Sequence, residues 1–130
     1  MATEGPEPEA LSRFLAAGHQ HDYDVNDVII SAGDHSTELY YLLKGSVSVQ
    51  YEDMDGHEII LAYLHEGDFF GEIGLFDERH ERSAWVRART ESTVVHLPQD
   101  TLQKMLEASP DLMYALLGQM ATREIGRAHV

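Results

Sequence analysis

Residues 67–89 read GDFFGEIGLFDERHERSAWVRAR. The stretch predicts a strand end, a short helical turn, a polar loop and then a new strand. Gly71-Glu72-Ile73-Gly74-Leu75 opens it with small residues that let backbone approach a ligand closely. Arg82-Ser83 follows, just ahead of the alternating run Ala84-Trp85-Val86-Arg87-Ala88. Backbone N–H groups at the start of a short helix suit an anion. An arginine beside them adds a fork of donors matched to phosphate oxygens. Glu72 repels phosphate but can accept hydrogen bonds from a sugar hydroxyl. An anion-binder and a hydroxyl-binder this close together describe a receptor for a sugar phosphate.

Outward from this stretch, the pattern from Tyr23 to Leu97 is that of β-structure. Val28-Ile29-Ile30 is a short apolar run ended by the turn signal Ser31-Ala32-Gly33-Asp34. Leu39 to Leu43 is a second run, broken at Lys44-Gly45. Val47 and Val49 alternate with Ser46, Ser48 and Gln50, as in a half-buried strand. Asp55-Gly56, with strand-like runs on both sides, predicts the primed turn of a hairpin. On the return strand Ile59, Leu61 and Tyr63 are expected on one face and Ile60, Ala62 and Leu64 on the other. Many short strands separated by Gly/Asp turns argue for a sandwich or barrel.

The flanks read as helices. Met1 to Glu9 holds two prolines and three glutamates and is expected to be disordered. Leu11, Phe14 and Leu15 then recur at helical spacing within Ala10 to Gly18. Beyond the strands, Leu102, Met105 and Leu106 form one stripe of a helix over Pro98 to Ala108. Ser109 is a candidate N-cap, with Pro110 and Asp111 in a first turn. Leu112, Met113, Leu116, Leu117 and Met120 continue as an apolar stripe. Met113, Leu116 and Met120 also fit a helix–helix seam. The domain boundaries expected are therefore a tail at 1–9, a barrel with flanking helices at 10–108 and a helix from 109 onward.

Composition bounds the function. The chain has 130 residues, enough for one domain. No run approaches the roughly 18 apolar residues of a membrane span, and no start resembles a signal peptide. The absence of cysteine excludes disulfides, thiolate nucleophiles and cysteine-held iron–sulfur clusters. A cytoplasmic location is expected. Nine Lys and Arg against twenty-three Asp and Glu give a net charge of −14, which repels a polyanion, so this chain is expected not to bind DNA. Most of these carboxylates read as a solvated surface. His19 and His21 flank Gln20, and such a pair on a strand could ligate a metal. No third ligand stands at a suitable spacing, so they read as surface residues. His35, His57, His65, His80 and His96 are scattered. No activated nucleophile or dinuclear metal constellation is present, and no enzyme is expected.

The motif GDFFGEIGLF followed by ERSAWVRA resembles the phosphate-binding cassette of bacterial cyclic-nucleotide receptors, specifically the catabolite activator protein (cyclic AMP receptor protein) family of transcription regulators. Leu39 to Val49 (LYYLLKGSVSV) and Gly56 to Leu64 (GHEIILAYL) resemble the sensor domain of the same family, and the likeness runs from about Leu11 to about Arg123. It implies a jelly-roll (double-stranded β-helix) barrel with a C-terminal dimerisation helix. The implied ligand is cyclic AMP, with no cofactor and no metal. Arg82 would pair with the cyclic phosphate, Ser83 would add a donor, and Glu72 would accept from the ribose 2′-hydroxyl. Gly71 would let backbone close over the sugar. Val49, Leu61, Leu64 and Ile73 would form the apolar wall. Arg123 matches a helix arginine of the family and would reach Glu72 or the base. Without the cassette around them, Glu72 and Arg82 would read more simply as a surface ion pair worth about 0–1 kcal/mol.

The resemblance further implies a homodimer through the 109–123 helix, and DNA and RNA polymerase as partners of the full-length parent. The expected helix-turn-helix domain does not follow. Residues 124–130 (EIGRAHV) place Glu124 on the seam and a helix-weakening Gly126 behind it. They resemble the translation of a sequencing-adapter oligonucleotide and are expected to be non-native, so that pocket lid and dimer would both be weakened. The alternatives are a cyclic-nucleotide module of a channel or kinase and a metal-binding cupin-like barrel. No channel or kinase segment accompanies the first, and the second lacks the histidine and glutamate spacing it needs.

Overall fold

A computed structural model describes residues 8–35, 37–71 and 84–111, together with Tyr114 and Gly118. The first helix, α1, spans Pro8–Ala17 and so starts ahead of the expected Ala10. Proline suits a helical first turn, where its missing N–H has no partner to lose. Eight strands follow: β1 (His19–Tyr23), β2 (Val28–Ile30), β3 (Glu38–Lys44), β4 (Ser46–Glu52), β5 (Glu58–His65), β6 (Phe69–Phe70), β7 (Trp85–Ala88) and β8 (Ser92–Pro98). The second helix, α2, covers Gln99–Ala108. Pro110, Asp111, Tyr114 and Gly118 are helical as well. The seam residues Leu112, Met113, Leu116, Leu117 and Met120, the tail before Pro8 and residues 124–130 lie outside the described residues. No helix among the described residues is long and apolar enough to cross a membrane.

The strands form two four-stranded antiparallel sheets, ordered β1-β8-β3-β6 and β2-β7-β4-β5, as a jelly roll requires. The first sheet is the middle layer of three. Leu39 and Tyr41 of β3 and Val95 and Leu97 of β8 point to the helices, where Phe14, Phe69 and Leu102 complete one apolar cluster. Tyr40 and Leu42 of β3 and Val94 of β8 point the other way, onto Val47, Leu64 and Val86 of the second sheet. A strand covered on both faces needs apolar side chains at odd and even positions alike. That is why Leu39 to Leu43 reads as an unbroken run.

Two sequence expectations give way to local geometry. The faces of β5 are not those of simple alternation. Val49 pairs with Ala62 and Gln50 with Ile60, so Leu61 is an extra residue in a bulge. The slip puts Ile59 on the same face as Ala62 and Leu64, and leaves Ile60 and Tyr63 facing outward at 48 % exposure each. The 53–57 hairpin loop is not a two-residue primed turn either, since of Asp55 and Gly56 only the glycine has a positive φ (+84°). Asp53 organises it instead. Its Oδ1 accepts the amide N–H groups of Asp55 and His57, both at 2.9 Å. An aspartate that captures nearby amides this way sets a wider loop than the primed turn would.

Gly45, between β3 and β4, has φ +95°, and a Cβ there would press on Ser92 and lie 2.6 Å from the carbonyl oxygen of Glu91. The left-handed backbone alone costs a side chain about 1–3 kcal/mol. Gly45→Ala is therefore expected to lower unfolding free energy by at least that amount, measured as a shift of the urea midpoint at unchanged slope.

Candidate functional site

The two sheets are joined by the segment of residues 72–83, which leaves one and enters the other. Its entry point is well fixed. Phe69 and Phe70 of β6 are buried and pair with Tyr41 and Tyr40 of β3. Tyr40 and Phe70 stack at 5.1 Å with only 12° between their planes. Gly71 follows with φ +82°, a left-handed conformation that turns the chain out of the sheet and that glycine adopts without strain. The exit is Ala84 and then β7, which packs between β2 and β4. Glu72, Ile73, Arg82 and Ser83 fall within the connection, and they and Arg123 lie outside the described residues.

Of the residues expected to form an apolar wall, Val49 and Leu64 come together. Val49 is half-buried and pairs with Val86 and Ala62, and Leu64 is buried opposite Val47. Both face the layer between the sheets, with Tyr40 and Phe70 across it. Leu61 stands apart, 55 % exposed at the bulge. The sequence reading missed the Tyr40–Phe70 stack and Val86 as neighbours of this wall. The apolar pair Phe69-Phe70 and the alternation of β7 carried that signal. Leu64 is also held from behind: Ser46 Oγ donates to its carbonyl oxygen at 3.1 Å, and Arg89 Nη1 donates to Ser46 Oγ at 3.2 Å. The Arg89 guanidinium lies 3.9 Å from the ring centroid of Tyr63, a cation–π contact that fastens the exposed side of β5.

Two other features bear on what this barrel can bind. A hollow of about 580 Å³ opens at the β1–β8–β3 end, lined by Asp22, Asp24, Glu66 and Glu91 with one cation, Lys44. Four carboxylates to one ammonium disfavour a phosphate there, and none of the expected site residues lines it. Among the described residues, the group compact enough to hold a metal ion is Asp53, Asp55 and His57, in the exposed hairpin loop. Hydrogen bonds within the turn already occupy the Asp53 carboxylate and hold its pKa below the ordinary value, the His57 amide contributing most. His19 and His21 are exposed on β1, and no three described histidines come within ligating distance of a common ion.

The model of the cyclic nucleotide-binding domain matches residues 20–109. The chain belongs to the cyclic nucleotide-binding domain family. The matched span runs from β1 through α2 and includes the whole 72–83 connection. Among curated proteins, this domain is 43 % identical over 113 residues to the cAMP-activated global transcriptional regulator CRP of Salmonella typhimurium, covering 87 % of this chain and 54 % of that protein. It is 40 % identical over 124 residues to the cAMP-activated global transcriptional regulator Vfr of Pseudomonas aeruginosa, covering 93 % and 58 %. The chain thus spans a little over half the length of these relatives. Among solved structures, the c-di-GMP responsive global regulator CLP of Xanthomonas campestris superposes with a TM-score of 0.85 at 31 % identity, over 95 % of this chain and 62 % of that one. The relatives are transcription regulators, not enzymes, and the domain they share takes a cyclic nucleotide as effector ligand rather than as cofactor.

Proposed function

We propose that this domain binds 3′,5′-cyclic AMP in the layer between its sheets, as the sensor of a longer, cytoplasmic transcription regulator. The observation that carries the reading is the cassette motif itself, Gly71-Glu72 and Arg82-Ser83, hung between a rigid β6 exit and β7. In this reading Arg82 pairs with the cyclic phosphate, with Ser83 as a further donor. Glu72 accepts from the ribose 2′-hydroxyl, and Gly71 lets the backbone approach the sugar. Val49 and Leu64 meet the apolar part of the ligand from the second sheet, with Leu61 and Ile73 as the remaining apolar contacts. Arg123 approaches Glu72 or the base. Nucleotide that prefers one state of a 109–123 helix dimer shifts the population toward it and so repositions DNA-binding domains in the full-length parent, where DNA and RNA polymerase are the partners. The net charge of −14 leaves DNA binding to those domains.

Relatives with two effector chemistries make ligand choice the first question. Titration calorimetry with cyclic AMP, cyclic GMP, cyclic di-GMP and 5′-AMP answers it. The expected result is saturable binding of cyclic AMP in preference to 5′-AMP. Equal affinity for 5′-AMP, or binding of cyclic di-GMP alone, would overturn the assignment to cyclic AMP.

A further inference from the structure

We infer that Glu38, His96 and Tyr23 form a proton-responsive latch that fastens edge strand β1 into the barrel and steadies the residue from which the cassette springs. The latch stands on the fold alone. Its link to ligand affinity rests on the reading of the cassette given above.

His96 lies in the middle of β8, directly opposite His19 of β1 on one side and Tyr40 of β3 on the other. Its side chain is 16 % exposed, with Nε2 2.9 Å from the Tyr23 hydroxyl and Nδ1 3.5 Å from Glu38 Oε1. The ring stacks on Tyr23 at 6.0 Å and meets Tyr40 edge-on at 4.7 Å. Tyr40 in turn stacks on Phe70, the residue before Gly71. One row of rings therefore runs from β1, across β8 and β3, to the start of the cassette. The titratable groups facing His96 are His19, His21 and Tyr23 from β1, and Glu38 and Tyr40 from β3; Asp27 acts on Tyr23.

The chemistry sets the proton positions. A carboxylate beside Nδ1 places the imidazole proton there, and leaves the Nε2 lone pair to accept from the Tyr23 O–H. The neutral ring thus joins three strands through both nitrogens. Burial holds the His96 pKa below its ordinary 6.5 against the pull of Glu38, and burial likewise pushes Tyr23 up to about 12, so its phenol stays a donor. A second proton on His96 turns Nε2 into a donor, forces the Tyr23 O–H to turn away, and sets a charge among aromatic rings. Since the folded pKa lies below that of a free imidazole, the opened state binds more protons as pH falls below 6.5. The latch is complete above that pH and is lost as pH falls through the depressed folded value. Of the three strands joined by the latch, β1 yields first, because among the described residues its only strand partner is β8.

The test is amide hydrogen exchange of residues 20–23 at pH 7.5 and 5.5, corrected for intrinsic rates, on the wild-type chain and on His96→Gln. We expect the opening constant of β1 in wild type to rise several-fold at the lower pH, up to about ten-fold, and to change little in His96→Gln. Equal protection at both pH values in wild type, or the same rise in His96→Gln, would overturn the latch. Nitrogen-15 shifts give a second readout if that variant does not fold. Wild-type His96 should be the Nδ1–H tautomer at pH 7.5. Tyr23→Phe, which removes a bond that favours the neutral ring, should raise the His96 pKa; an unchanged value or the opposite tautomer overturns the arrangement. In the same samples, cyclic AMP affinity should fall more between pH 7.5 and 5.5 for wild type than for His96→Gln, and parallel falls would remove the link to the cassette. If cyclic AMP does not bind at either pH, the ligand assignment fails while the exchange result still decides the latch.

Discussion

Arg82→Ala is expected to weaken cyclic AMP binding by about 30- to 5,000-fold, the equivalent of losing 2–5 kcal/mol from a charge pair left without one partner. The electrostatics of the whole chain make the effect large. A net charge of −14 repels an anionic ligand at long range, so binding depends on local cations. The described arginines that follow the cassette are committed elsewhere. Arg87 Nη1 donates to the carbonyl oxygen of Asn26 at 3.1 Å, and Arg89 is shared between Ser46 and the Tyr63 ring. Arg87→Ala is thus the matched control, removing the same charge at a site that holds a loop, and should change affinity only a few-fold. Calorimetric titration of both variants at two salt concentrations provides the check. Equal losses for Arg82→Ala and Arg87→Ala would reduce the role of Arg82 to bulk charge, and unchanged affinity in Arg82→Ala would refute the phosphate contact.

Phe69→Ala is expected to cost about 3–5 kcal/mol of stability, a large part of the total for a domain this size. The ring is 1 % exposed. It packs edge-on against Phe14 of α1 at 5.1 Å and against Tyr41 of β3 at 4.8 Å, so its loss opens a cavity between the helix layer and the first sheet. β6 has only two residues, and its neighbour Phe70 faces the opposite cluster, so little else can move in to fill the space. Urea denaturation should show a lowered midpoint, and thermal unfolding should fall by more than about 10 °C. Phe69→Leu, which keeps most of the volume, should retain over half of the lost stability. A change below about 1 kcal/mol for the alanine variant would mean that this cluster does not anchor α1.

Much of this architecture was legible in the residues. β3 announced its burial on both faces by the run Leu39 to Leu43, and Leu102, Met105 and Leu106 marked the packed stripe of α2. What was hidden had physical causes. Ile59 to Leu64 is apolar or aromatic at every position, so no polar residue marks which way each side chain points, and the bulge at Leu61 leaves no trace in the pattern. At the hairpin, Asp55-Gly56 is a genuine turn signal, but the carboxylate of Asp53 competes for the same amides and wins. Tyr23, Glu38 and His96 come from three strands, and only the register of β1 and β3 on β8 brings them together. The sequence reads Gly71 as a residue that lets backbone approach a ligand; in the fold its φ of +82° by itself calls for glycine. Val49 and Leu64, expected on one apolar wall, do share a face, because β4 alternates regularly there. Leu61 sits where that regularity breaks.

The middle sheet has a consequence for how such a barrel can be changed, by evolution or by design. β3 and β8 supply alternate residues to two clusters that do not mix: one tucks under the helices, the other faces the second sheet. Variation in the inter-sheet cluster would retune the proposed ligand chamber while Phe14, Leu39, Phe69 and Leu97 go on holding the scaffold together. Drift on the helix side can adjust the lifetime of the fold without reshaping the chamber. A mutational library aimed at a new effector is therefore best confined to the even-numbered positions of β3 and β8 and to the inward face of β4 and β5. The odd-numbered positions of β3 and β8 should be left as a fixed foundation.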